Sequence, residues 1–199
     1  MKIRYDSPFW ERMGKLYYMI VLNFLWLLFS LPVITIGPST VALHQCMFHL
    51  INGKEMTIFT EFYQSFNRNF IRNMMAGIIV VGFGMLLLSS RNFYFEIAVN
   101  TSWSIYYFYI FLVFLFALFI VIIFPVLVSY DGAVLELLRL SLFLAIKNLP
   151  MSIMMVVIDY LIIYFCQMLV PLALIGVALI VFINSRIYLW RVTNSLVIE

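Results

Sequence analysis

LYYMIVLNFLWLLFSLPVITIGPSTVALHQCMFHLIN, residues 16–52, decides how the rest of the chain reads. Its first part, 16–34, is an unbroken apolar run with no charged side chain. A bilayer core of about 30 Å asks for roughly 18 or more such residues in a helix. Thr35-Ile36-Gly37-Pro38 then interrupts the run, Gly and Pro together being a strong turn signal. Residues 39–51 follow, moderately apolar, with His44, Gln45 and His49 among them. As a helix this second part covers only about 20 Å, short for a crossing. It reads equally as a re-entrant half-helix, a thin span or an interfacial helix.

Four more apolar runs lie downstream, at 74–89, 103–129, 151–170 and 172–183. Of the 199 residues 65% are hydrophobic and 11% charged, where a soluble domain carries about a quarter charged residues. The chain therefore reads as an all-α polytopic membrane protein, one membrane domain over 1–199, with the lipid bilayer as its first partner. A net charge of +3 does not point to nucleic acid, and none is expected. Lys2, Arg4, Arg12 and Lys15 precede the first run. A cleavable signal has a shorter apolar core and a small-residue cleavage site. Leu31-Pro32-Val33-Ile34 is a poor one, so the first span is expected to be retained. Cys46 and Cys166 both sit in apolar segments and suggest neither a disulfide framework nor a paired metal motif.

Basic side chains favour the cytoplasmic side of a membrane, and they arbitrate the fate of 38–52. If that segment does not return, Lys54, Arg68, Arg72, Arg139, Lys147, Arg186 and Arg191 fall outside. If it does return, Arg91 alone among the 12 basic residues is outside. The expectation is thus five full transmembrane helices plus one short returning or re-entrant helix, with both termini cytoplasmic. The segments run over about 16–34, 38–52, 74–90, 103–129, 150–170 and 171–190. The last two are read as a tight hairpin at Pro171, because one continuous helix of that length is too long for a single crossing. Tyr94, Trp103, Tyr106 and Tyr107 flank the one sizeable outer loop, and Tyr17, Tyr18, Tyr188 and Trp190 lie near the inner face, as headgroup-level anchors do. Pro125 is expected to kink or end the third run.

Two connections read as amphipathic cytoplasmic helices. In 57–72, Phe59, Phe62, Tyr63, Phe66 and Phe70 recur at spacings of three and four, opposite Glu61, Gln64, Ser65, Arg68 and Arg72. In 132–148, Asp131 is the expected N-cap, and only Glu136, Arg139 and Lys147 break an apolar circumference. Arg68-Asn69-Phe70 and Lys147-Asn148-Leu149 form a weak echo, either a duplicated unit or chance.

Asp159 is the one carboxylate inside an apolar run, near the expected bilayer midplane, where an ionised acid costs at least about 2.5–3.5 kcal/mol. Two readings stay open: a proton or cation relay, or a carboxyl hydrogen-bonded to another helix that fixes its register. Asn23, His44 and Asn184 are its candidate partners. His44, Cys46 and His49 suggest a metal by type. His44 and His49, however, lie roughly 140° apart around a helix, and only Cys46 and His49 share a face. No metal and no cofactor is expected. Gly77, Val81 and Gly84, and later Ala173 and Gly176, are small side chains that let helices approach closely. No phosphate loop, His-Glu-x-x-His, Gly-x-Ser-x-Gly or Cys-x-x-Cys occurs, and the chain is not expected to be an enzyme.

Ser30-Leu31-Pro32-Val33-Ile34-Thr35-Ile36-Gly37-Pro38, followed by Ala42-Leu43, resembles the stretch that closes the first span in the YesL family of bacterial membrane proteins. Ser30, Leu31, Pro32, Thr35, Gly37 and Pro38 fit its Ser-Leu-Pro-x-x-Thr-x-Gly-Pro pattern. Phe62, Phe66, Arg68-Asn69-Phe70 and Asn148 extend the likeness. That family is uncharacterised in activity, so the resemblance brings no catalytic residues, and Asp159 lies outside its pattern. It implies the bacterial cytoplasmic membrane and an association with carbohydrate uptake or sensing, with a sugar permease or sensor kinase as partner. An accessory or regulatory subunit is the leading expectation. The alternative is a small secondary transporter or channel subunit using Asp159, working as a homo-oligomer.

Overall fold

A computed structural model describes residues 8–54 and 57–196, with the side chains of 13–54, 57–169 and 175–191. Lys2 and Arg4, and the side chains of Arg12 and Ala173, lie outside the described residues. The described residues form eight α-helices and a short 3-10 turn, and no strand. They are α1 (Pro8–Phe29), the 3-10 turn Val33–Thr35, α2 (Ile36–Ile51), α3 (Ile58–Asn67), α4 (Phe70–Asn100), α5 (Trp103–Ser129), α6 (Val134–Lys147), α7 (Leu149–Met168) and α8 (Val170–Leu196). By length and composition three of them can cross a membrane: α4, α5 and α7. The apolar part of α1, Met13–Phe29, is shorter.

The segment 38–52, expected to be short and returning or re-entrant, lies in α2 at the centre of the fold. Eleven of the sixteen residues of α2 are buried, on every side of the helix, which is the signature of a core helix. It packs against α1, α3, α4, α5 and α8. Val41 and Phe48 join one apolar cluster, with Leu118, Ile122, Leu127, Met155 and Tyr188. Leu43 and Met47 join another, with Leu22 of α1, Phe62 of α3 and Ala178 of α8. At its far end Leu50 and Ile51 line a cavity with Lys15 and Arg186, so α2 runs back beside α1. Sixteen residues reach about 24 Å, and exposed apolar side chains on its neighbours α1, α4 and α5 supply the outer apolar surface.

Several boundaries differ from the sequence reading, each for a local reason. α1 stops at Phe29, not residue 34, because Ser30–Pro32 turns the chain. α3 stops at Asn67, although the apolar period runs on to 72, because Asn69 takes a left-handed backbone (φ 52°, ψ 37°) that Asn tolerates better than most residues. Asp131 does not cap α6. Ala133 holds that position, and Glu136 accepts its N–H at 3.3 Å. α5 continues four residues beyond Pro125 to Ser129. The expected outer loop is helix: α4 runs 31 residues to Asn100, about 46 Å. Aromatic contacts hold the extension to α5, with Tyr94 stacked on Tyr109 at 5.0 Å and Phe95 edge-on to Tyr106 at 5.9 Å. The Tyr109 hydroxyl donates to the Leu87 carbonyl at 2.9 Å. Tyr188 is no interfacial anchor; it is 2% exposed and stacks on Phe48.

α7 and α8 form the expected hairpin, broken at Leu169. The sulfur of Cys166 lies 2.7 Å from where a Cβ on Gly176 would stand. The echo between Asn69 and Asn148 falls at equivalent places, each between a short helix and a long one. Asn69 accepts the Asn73 N–H, and Asn148 the Ser152 N–H, both at 3.0 Å.

Candidate functional site

The polar side chains of this apolar bundle gather in three places. The first is the turn between α1 and α2. The last carbonyls of a helix lack intrahelical partners, and here Thr35 Oγ1 lies 2.6 Å from the Phe29 carbonyl and 2.7 Å from that of Pro32. Ser39 Oγ donates to the Thr35 carbonyl at 2.7 Å. A hydroxyl has one proton, so the 2.6 Å contact between Ser30 and Ser39 is donated by Ser30. Trp26 Nε1 donates to Thr40 Oγ1 at 3.1 Å. Pro38 sits in the first turn of α2, where no N–H is needed. Gly37 is required by contact, since its Cα faces Gly77 of α4 and each would meet the other's backbone if given a Cβ.

The second place is the junction of α3, α4, α5 and α6. Arg72, read from sequence as part of a surface face, reaches across to α5. Its Nη2 donates to the Leu127 carbonyl at 2.8 Å. Its Nη1 reaches Asp131 Oδ1 at 3.2 Å and the Tyr130 carbonyl at 3.4 Å. A cation at the C-terminal end of a helix also complements its dipole. Asn69 Nδ2 donates to the same Asp131 oxygen at 3.3 Å, and Asn73 Nδ2 to the Arg68 carbonyl at 3.0 Å. Arg68-Asn69-Phe70 thus belongs to a structural clasp. Next to it, Gln45 Nε2 lies 2.9 Å from His49 Nε2, and His49 Nδ1 lies 2.8 Å from Glu61 Oε1. One proton on Nδ1 satisfies both contacts.

The third place holds the candidate site. Asn184 of α8 donates its Nδ2 to both carboxyl oxygens of Asp159 on α7, at 3.1 and 2.9 Å. The next residue, Ser185, turns about 100° around the helix and meets His44 Nδ1 of α2 at 3.0 Å. The His44 ring stacks on Phe124 with centroids 6.2 Å apart. Of the three candidate partners the structure therefore brings Asn184 alone to Asp159. Asn23 of α1 meets another stretch of α8, where its Oδ1 accepts the Ala178 N–H at 3.1 Å. His44, Cys46 and His49 do not converge, and among the described residues no three His, Cys, Asp or Glu side chains are grouped for a metal.

Chemically, Asp159–Asn184 is a pair with spare capacity. Asn184 Oδ1 is buried and has no hydrogen-bond partner, an arrangement that ordinarily costs free energy. An ionised Asp159 can only accept hydrogen bonds. Protonated, it becomes a donor, and a rotation of the Asn184 amide lets Oδ1 receive that hydrogen. The pair can thus hold a proton between two helices. Ser185 escaped the sequence reading because serine in a membrane helix is common. Arg72 escaped it because the apolar period hid the break at Asn69.

A family model described as a protein of unknown function, DUF624, matches residues 19–91. That segment takes in all of α2 and α3, half of α1 and most of α4, hence the Thr35 turn, the Gly37–Gly77 contact and the Arg68-Asn69-Phe70 motif. Neither the curated proteins nor the solved structures contain a match.

Proposed function

We propose that the protein is a non-enzymatic accessory subunit of the bacterial cytoplasmic membrane, related to the YesL proteins. α1, α4, α5, α7 and α8 are the spans in this reading, α2 is a short returning helix, and both termini are cytoplasmic. The observation that carries the proposal is the use made of the polar groups on α2. Ser39, Thr40, His44 and His49 are each bonded to a side chain outside α2, so the interior is engaged in holding the bundle together. Activity is then left to the surface. On α3, Phe59 and Tyr63 are exposed at 63% and 50%, a face suited to a partner helix. The likeness to carbohydrate-linked proteins makes a sugar permease or sensor kinase the partner of choice. Mild-detergent purification from the native host should recover that partner stoichiometrically, and Phe59→Ala with Tyr63→Ala should release it. Recovery of the protein alone, or as a homo-oligomer, would overturn the accessory reading.

The orphaned Asn184 Oδ1 favours a second reading, proton-coupled transport through Asp159. Asp159→Asn separates the two. An amide at 159 both accepts from and donates to Asn184, so stability should be unchanged or slightly raised. Uptake should fall to background if Asp159 carries protons. Unaltered uptake in a stably folded variant would end the relay idea.

A further inference from the structure

A further concavity lies on the α4, α5 and α6 side of the protein, away from Asp159. It is a groove of about 350 Å³ between α4, α5 and α6, walled by Ile79, Phe83, Leu115, Phe116 and Leu142, with Arg139 among its lining residues. Volumes of this size are typical of small-molecule sites, and this one is apolar throughout, with the Arg139 side chain at its rim. Val80 at its base is 3% exposed, and Phe83 and Phe116 pack together with centroids 5.3 Å apart. Gly84 makes room for that pair, since a Cβ there would stand 3.3 Å from the Phe116 ring.

Arg139 decides the occupant. It stands on a helix whose outward side chains Leu135, Phe143 and Ile146 are exposed and apolar. Among the described residues it makes no ion pair or hydrogen bond. Glu136, one turn earlier, is directed to the Ala133 N–H at its own helix start. Arg139 is exposed at the rim of the apolar groove, where its guanidinium is open to an anion, and its fork of donors matches phosphate oxygens in pairs. α4 and α5, which form the walls, are two of the helices able to cross a membrane. Free phosphate would satisfy Arg139 and leave the walls empty, while a hydrocarbon alone would leave Arg139 unpaired.

We propose that this groove binds one glycerophospholipid, with an acyl chain between α4 and α5 and the phosphate on Arg139. Basic pockets between membrane helices recognise lipid headgroups in this manner. The test is native mass spectrometry of the full chain released from nanodiscs of phosphatidylglycerol. The wild-type protein should retain one lipid. Arg139→Gln should lower that retention about tenfold, the factor that one charge-assisted contact represents. Leu115→Trp, which fills the groove, should lower it similarly, and Arg91→Gln should not. Equal retention by all four proteins would overturn the proposal and leave only a general lipid annulus. So would a lipid-free dimer, which would assign the groove to a second copy. If either variant fails to fold, a photoactivatable phosphatidylglycerol on the wild-type protein decides. Label confined to peptides from α4, α5 and α6 supports the site, and label spread over α1 and α7 refutes it.

Discussion

Gly37→Ala and Gly77→Ala should each lower the melting temperature in mild detergent by roughly 2–12 °C, from an overpacking cost of about 1–3 kcal/mol in a chain of this size. A Cβ on Gly37 would overlap the Asn73 carbonyl oxygen and stand 2.8 Å from the Gly77 Cα. One on Gly77 would stand 2.5 Å from the Gly37 Cα. All these neighbours are backbone, so no side chain can rotate aside, and α2 or α4 must move bodily. Because α2 contributes to both apolar clusters, that movement disturbs the whole bundle. Gly82 of the same helix has nothing within 4 Å of its would-be Cβ, and Gly82→Ala should be neutral or mildly stabilising. The comparison is made by fluorescence-detected size-exclusion chromatography after heating. Equal stability of the Gly37 and Gly82 variants would show that the close contact carries no weight.

The second large effect is expected at Arg72. Arg72→Met removes a charge-assisted bond to the Leu127 carbonyl and should cost about 1.5–3 kcal/mol. Arg72→Lys should recover only part of this, since one ammonium cannot serve Leu127, Tyr130 and Asp131 together. Asp131 is 75% exposed at its side chain against 15% for Arg72, so Asp131→Asn should cost less than about 1 kcal/mol. This asymmetry identifies the helix-capping contact, not the ion pair, as the stabilising one. Were Asp131→Asn to cost as much as Arg72→Met, that assignment would be wrong.

The membrane-helical character of the chain was legible in its apolar runs, and the α7–α8 hairpin in Pro171. A break between the first apolar run and α2 was legible, but not its place: the chain turns at Ser30–Pro32, and Gly37 and Pro38 already belong to the first turn of α2. The central position of α2 was not. Its length and modest hydropathy describe a segment at the rim as well as one in the core, and only its tertiary partners distinguish them. The extension of α4 to Asn100 was missed because Arg91, Asn92 and Glu96 end the apolar run without ending the helix. Composition marks where an apolar run stops, which is not where a helix stops, and α5 likewise continues past Pro125. At the candidate site, the unusual depth of Asp159 made it conspicuous. Its pairing with Asn184 was one of three options that spacing could not separate, since the register between helices is set by packing.

The contact between His44 and Ser185 joins residues 141 positions apart. A ribosome adding about 5–20 residues per second takes roughly 7–30 seconds to make that stretch. Throughout that interval the newly made α2 lacks α8, and with it the neighbour that receives His44. Until its last helix is synthesised, the nascent chain therefore carries a central helix whose burial is incomplete. A stop codon anywhere ahead of α8 would consequently release a polypeptide whose middle was never finished, a substrate for membrane proteases rather than a shorter working protein.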